Sequence, residues 1–274
     1  MKQQLKDAIR GAQTPESAVH LAREYLQARI LLALQEAGAM IPLAFQGGTA
    51  LRFLFGLPRF SEDLAFALER PQRSAFQLVG VGLRVTAQLK REGYQVVTSP
   101  KTDRVVQSLM VAFPGLLHEL GLSPHASQRL SLRIEVDTRP LPGAGLATTI
   151  LRRHALLNLQ HHDRPSLLAG KLHAVLQRNW AKGRDLFDLF WYLSDPTWPG
   201  PNLELLNNAL RQTGWAKPRL EDSTWASVVR DRVESLDWRA AEQDVAPFLE
   251  PGPASALFGR DHLLRLLEGA ERLG

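Results

Sequence analysis

Apolar residues first recur at helical spacing between Thr14 and Gln35, at Val19, Ala22, Leu26, Ile30 and Ala33, with Arg23 and Arg29 off that line. Thr14-Pro15-Glu16 provides an N-cap and a proline in the first turn, so the pattern predicts a helix from there, ended by Gly38. Residues 41–45 are apolar enough for a buried strand, with Pro42 at its start. Gly47-Gly48 then allows a backbone turn of positive φ, and Thr49 is positioned to cap a short helix running to Phe55. Asp63-Leu64-Ala65-Phe66 alternates like a strand, which places residues 63 and 65 on one face. After Pro71 a helix is predicted over 73–93, with Phe76, Val79, Leu83, Val85 and Leu89 facing inward and Gly93 as C-cap. Strands follow over 94–97 and 105–113. In 130–137 the alternation is strict: Leu132, Ile134 and Val136 point one way, Glu135 and Asp137 the other.

Pro140 to Gly145 breaks the pattern and is the expected domain boundary, giving one domain over 1–145 and a second over 146–274. Beyond the break the periodicity is mostly helical, with segments near 166–180, 183–194, 203–213, 221–235, 239–248 and 260–273. The fold class expected is α+β: a mixed sheet with flanking helices, then a helical C-terminal half that completes a cleft. No internal repeat or low-complexity segment is visible.

A chain of 274 residues with 45% hydrophobic and 22% charged residues can bury an ordinary globular core. Lys and Arg number 33 against 28 Asp and Glu, a formal charge of +5 that suits an RNA or nucleotide partner without specifying one. The absence of cysteine excludes disulfides, thiolate chemistry and Cys-based zinc sites. No apolar run approaches the ~20 residues needed to cross a bilayer, and the first residues lack the apolar core of a signal peptide. A soluble, cytoplasmic protein with no membrane partner is expected.

Two blocks carry candidate chemistry. In the first, backbone N–H groups at the Gly47-Gly48 turn and the start of the next helix could cradle phosphate, with Thr49 and Ser61 beside them. Asp63 is the carboxylate that follows this turn, and Glu135 and Asp137, sharing one strand face, offer a further carboxylate that could meet it across the sheet. In the second block, Lys171, Ala174, Val175 and Arg178 fall three, four and seven residues apart on one helix face, so Lys171 and Arg178 could reach one ligand together. Arg184-Asp185 opens the next helix, three residues before Asp188.

The run Gly47-Gly48-Thr49-Ala50-Leu51-Arg52, the Leu57-Pro58-Arg59-Phe60-Ser61 turn and Asp63 on the following strand together resemble motif I of the DNA polymerase β-like nucleotidyltransferases. Lys171-x-x-Ala174-x-x-x-Arg178, followed by Arg184-Asp185-x-x-Asp188-Leu189, resembles the downstream motifs of the AbiEii/AbiGii-type toxin branch of that superfamily. The resemblance spans roughly 40–195. It implies a metal-dependent nucleotidyltransferase toxin of a toxin–antitoxin or phage-defence system, using Mg²⁺ and a nucleoside triphosphate. The acceptor implied is RNA, foremost the 3′ end of tRNA, and the partner implied is a separate antitoxin, often one with a DNA-binding winged helix. Carried over, the catalytic residues are Asp63, Glu135, Lys171 and Asp185, with Asp63 and Glu135 as metal ligands. Gly47, Gly48, Thr49, Ser61, Lys171 and Arg178 bind nucleotide, and Asp188 gives support. Glu135 is preferred to Asp137 because Ile134-Glu135-Val136 is similar to the Ile-Glu-Ile often found in that branch.

One position departs from the pattern. Where the family has the second Asp of Asp-x-Asp, this chain has Ala65. A methyl group cannot ligate Mg²⁺, so turnover is expected to fall by orders of magnitude while nucleotide binding survives. A deliberate replacement that silences a toxic enzyme and natural decay of the site both account for alanine there, and the intact surrounding motifs favour the first. The alternative function is a non-catalytic nucleotide- or RNA-binding or interaction protein on the same fold. A third reading takes His161-His162-Asp163 as metal ligands of an HD-type phosphohydrolase; such a site also needs a distant His and Asp on neighbouring helices, and the triplet sits in the polar approach to Pro165, more like a loop than a helix interior.

Overall fold

A computed structural model describes residues 2–69 and 76–272. The chain divides into two compact units. The first comprises Met1–Leu54, Phe60–Pro140 and Ala147–His161, and the second Phe55–Arg59, Leu141–Leu146 and the residues from His162 onward.

The first unit is built on a seven-stranded mixed sheet. Helix α1 (Lys2–Ile9) packs on α2 (Pro15–Glu36). Thr14 caps α2 as its sequence suggests: its side chain accepts from the Ser17 backbone N–H, and the Ser17 side chain caps back onto Thr14. Strand β1 (Leu43–Gln46) leads into α3 (Gly47–Phe55), and β2 (Leu64–Leu68) runs antiparallel to β1 with Gln46 opposite Ala65. Helix α4 (Leu78–Arg91) covers β3 (Val97–Lys101) and β4 (Val106–Pro114). After the short α5 (Leu116–Glu119) comes β5 (Arg129–Asp137). Strands β2 and β5 are parallel, pairing Ala65 with Glu135 and Ala67 with Asp137.

Several boundaries and faces differ from the sequence reading. Strand β1 starts at Leu43, leaving Ile41 exposed. Helix α4 begins at Leu78 with Phe76 outside it, and the expected residues 73–75 lie outside the described ones. Its inner face is Leu78, Val81, Gly82, Val85 and Leu89, whereas Val79 and Leu83 are exposed. Gly82 lies against the Leu109 side chain, and this close approach sets the phase that the bulkier valine and leucine had suggested otherwise.

The larger difference is a pair of strands beyond the Pro/Gly break, β6 (Leu146–Arg152) and β7 (Leu156–His162). Strand β7 lies parallel to β1 with Phe45 opposite His161, and β6 forms an edge, completing the order β3-β4-β5-β2-β1-β7-β6. Polar–apolar alternation fails to announce them because Ile150 and Leu156 are exposed, so hydrophobicity and burial part company here.

Between the sheet and α2 lies a buried ion cluster. Glu24 accepts from Arg52 and from Arg153 (Nη2 at 2.8 Å, Nε at 3.0 Å), and Arg153 also donates to the Arg52 carbonyl at 2.9 Å. Burial pushes the Glu24 carboxyl up, but His154, Arg52 and Arg153 outweigh it and hold the pKa at about 2, against an ordinary 4.5. Because the folded pKa is the lower one, the stability this group contributes is complete above pH 4.5 and is lost as pH falls through about 2. Acid unfolding followed by circular dichroism should therefore be shallower in Glu24→Gln. That variant should also be less stable at pH 7 by about 2–3 kcal/mol, because the buried Arg52 and the partly exposed Arg153 lose the Glu24 charge they share.

The second unit is helical: α6 (Arg164–Gln177), α7 (Gly183–Leu193), α8 (Leu203–Gln212), α9 (Trp225–Glu234), α10 (Trp238–Val245), α11 (Pro253–Leu257) and α12 (Arg260–Glu271). Helix α7 is central, packing on α6, α10 and α12. Its first residue must be glycine, since a Cβ at Gly183 would stand 1.8 Å from the Ala241 carbonyl oxygen on α10. Gly183→Ala should cost about 1–3 kcal/mol, measured by urea unfolding. Among the described residues no helix is long and apolar enough to cross a membrane.

Candidate active site

In the first unit the site is prepared by main-chain contacts. Gly47, at φ +80°, opens α3 and lies over Ala65: a Cβ built on the glycine would sit 3.5 Å from the Ala65 methyl. Thr49 is not the N-cap the sequence suggested; α3 begins two residues earlier, at Gly47. Buried inside the helix, the Thr49 hydroxyl donates to the Asp63 carbonyl and lies 2.8 Å from Ser61 Oγ. From α2, the buried Gln27 amide donates to the carbonyls of Ser61 (3.0 Å) and Glu62 (3.1 Å). Two helices thus fix the backbone that carries Asp63 into β2. Gly47 and Gly48 remain partly exposed, so their main chain is reachable.

On the neighbouring strand, Glu135 stands in register with Ala65. Arg133, two residues along and on the same face, places Nη1 3.2 Å from Glu135 Oε1 and Nε 3.9 Å from Asp63 Oδ1. The expected pair of carboxylates is therefore joined by an arginine that sequence reasoning overlooked. Asp137 pairs with Ala67, one step further along β2, and its side chain accepts from the Arg139 backbone N–H. Among the described residues no three His, Asp or Glu side chains are grouped so as to hold a metal ion.

The second unit holds a tighter cluster. Lys171 on α6 places Nζ 3.0 Å from Asp185 and 2.6 Å from Asp188, both on α7 and one turn apart. Arg59, in the 55–59 segment, grips Asp188 with two bonds of 2.6 Å, from Nε and Nη2. Arg178, the C-cap of α6, brings Nε to 3.2 Å from Asp185. Asp188 is fully buried and Arg59 nearly so. Burial disfavours the Lys171 cation, yet Asp188 and Asp185 more than compensate and lift its pKa above the ordinary lysine value. Burial likewise opposes the Asp185 carboxylate, and Lys171 with Arg178 and Arg59 holds its pKa below the ordinary range. Lys171 is a charged ammonium at neutral pH. The sequence pointed to the lysine and both aspartates; Arg59 was visible only as part of the motif I turn, with no role attached, because its partner is 129 residues away.

His161 and His162 end β7 rather than lying in a loop, and Asp163 caps α6 by accepting from the Ser166 N–H at 2.9 Å. His161 Nε2 lies 2.9 Å from the Thr149 hydroxyl on β6, so this histidine has a structural partner.

Solved structures share this fold. MenT4, a nucleotidyltransferase toxin from Mycobacterium tuberculosis, superposes with a TM-score of 0.56 at 18% identity, covering 100% of this chain and 98% of its own. JHP933 from Helicobacter pylori gives 0.53 at 19% identity, covering 93% and 90%. No curated protein sequence matches the chain significantly. The family described as "Nucleotidyl transferase AbiEii toxin, Type IV TA system" matches residues 29–260, and the chain belongs to it. Membership implies a nucleoside triphosphate as substrate and an antitoxin as partner.

Proposed function

We propose that this chain is a nucleotidyltransferase toxin scaffold that binds a nucleoside triphosphate and is silenced at Ala65, and that its active counterpart transfers nucleotide to RNA, foremost the 3′ end of tRNA. The observation that carries the proposal is the position of Ala65, in register with Glu135 and directly under Gly47, where the second carboxylate would stand. Lys171 spends two ammonium hydrogens on Asp185 and Asp188, and the third suits a phosphate oxygen. Asp185 orients that ammonium, Asp188 and Arg59 anchor it, and Arg178 adds a second cation for developing phosphate charge. The main chain of Gly47 and Gly48 would cradle phosphate.

Asp63 and Glu135 suit one Mg²⁺ arriving on the triphosphate, because Mg²⁺ takes one or two carboxylates and fills its shell with phosphate and water oxygens. Such an ion would neutralise charge on the triphosphate. A second ion does not fit, because Ala65 offers no donor; the half-exposed Arg133, which joins Asp63 and Glu135, would turn away to admit the first.

The test is incorporation of label from each nucleoside triphosphate into total tRNA by the Ala65→Asp protein and by the chain as it stands. Label entering RNA with the Asp form alone is expected. Label with neither, across RNA and protein acceptors, would shift the assignment to a non-catalytic nucleotide- or RNA-binding protein.

A further inference from the structure

Where α6 ends, the second unit gathers cations around two tryptophans. A groove of about 410 Å³ is lined by Arg178, Trp215, Lys217 and Arg232, with Asp231 the carboxylate among its lining residues. Arg232 is fixed as part of its wall, donating to the Arg178 carbonyl and, at 3.4 Å, to the Val175 carbonyl. Trp215 is oriented by a 3.2 Å bond from its indole N–H to the Pro218 carbonyl, and Lys217 Nζ lies 5.5 Å from its ring centre. Beside the groove Trp180 is 62% exposed, with the Arg178 guanidinium 5.7 Å from its ring. Lys182 and Arg184 follow in the chain. Burial, and after it the neighbouring Arg184 and Arg178, push the Lys182 ammonium below its ordinary pKa, while Asp185 and Asp244 pull the other way.

We propose that this groove and the Trp180 face bind single-stranded RNA, the bases stacking on Trp180 and Trp215 and the phosphates lying on Arg178 and Lys217. The assignment rests on the reading that RNA is the acceptor. An acidic peptide would satisfy the cations but leave the exposed Trp180 face without a purpose, whereas single strands use both flat aromatic platforms and backbone cations. A duplex keeps its bases stacked on one another and cannot offer them to Trp180. Arg178 also touches Asp185, which in turn holds Lys171, so one side chain links the groove to the lysine cluster of this unit.

The experiment is fluorescence anisotropy of a labelled eight-nucleotide RNA with the chain as it stands and with Trp180→Ala, Trp180→Phe, Lys217→Glu and Arg10→Glu. Trp180→Ala should weaken binding about tenfold, a typical loss for one stacked base, while Trp180→Phe keeps most of the affinity. Lys217→Glu should weaken it comparably and flatten the dependence of log K on log salt by about 0.7. Arg10→Glu makes the same charge change at an exposed residue of the first unit and should leave binding within about twofold. The proposal is overturned if Trp180→Ala and Lys217→Glu bind like the parent, if duplex RNA binds as tightly as the single strand, if polyglutamate competes as well as unlabelled RNA, or if the parent shows no saturable binding. The same substitutions placed on Ala65→Asp separate the two readings. Labelling unaffected by them upholds RNA as acceptor and rejects the groove; the expected binding losses with no labelling uphold the groove and reject the transferase reading.

Discussion

Ala65→Asp is expected to raise nucleotide incorporation by at least about two orders of magnitude, the scale on which a single group stabilising transition-state charge acts. The backbone is ready for the change. Residue 65 is already in a regular strand, half exposed, and its neighbour across the turn is Gly47, which has no side chain to obstruct a carboxylate. The new carboxylate would join Asp63 and Glu135 on one face, where like charges raise one another's pKa unless a cation intervenes. Mg²⁺ should therefore raise the melting temperature of Ala65→Asp more than that of the parent, a readout independent of acceptor. Stabilisation by Mg²⁺ without labelling would mean that the acceptor is wrong. Neither stabilisation nor labelling would mean that position 65 is not a metal position.

Asp188→Ala should cost about 3–5 kcal/mol in urea unfolding, a large share of the 5–15 kcal/mol that typically holds a domain together. Asp188 is completely buried, and its removal deletes both of its 2.6 Å bonds from Arg59 and the shorter of the two Lys171 ion pairs. Asp188→Asn, which keeps an acceptor and the volume, should lose less. A loss below about 1 kcal/mol for the alanine variant would show that the buried cations find other partners. The acid response of this cluster follows from Asp185: its pKa is lowered on folding, so its contribution is present above the ordinary value of 3.8 and disappears as pH falls below it.

Local signals carried most of the architecture. The Thr14 cap, the strict alternation of β5 and the helical spacing of α6 and α7 are short-range patterns with short-range causes, and each element formed within a few residues of its expected place. Lys171 and Asp185 are singled out by the resemblance to the family's downstream motifs rather than by spacing, and two adjacent helices bring them to 3.0 Å. What stayed hidden depended on tertiary neighbours. Arg59, Arg133 and Gln27 are ordinary polar residues until Asp188, Glu135 and the Ser61 carbonyl arrive beside them. Thr49 looked like a cap because a hydroxyl after glycines commonly is one; the Asp63 carbonyl, fourteen residues on, claimed it instead. Strands β6 and β7 escaped because exposed Ile150 and Leu156 blur the polar–apolar contrast that a strand at the sheet edge usually shows.

The two acidic clusters differ in what the protein loses when a carboxylate goes. On the sheet, the Asp63 carbonyl accepts from Thr49, and its carboxylate, 43% exposed, meets an Arg133 that is 47% exposed at 3.9 Å. Such a pair contributes at most about 1 kcal/mol. Among the helices, each carboxylate neutralises a buried cation, so chemistry and scaffold share the same atoms. Inheritance therefore treats them unequally. A lineage can discard a sheet carboxylate and keep a sound, harmless protein, whereas losing Asp188 would first cost it the fold. Disarmed copies of this toxin architecture should accumulate their lesions on β2 and β5 and spare α7.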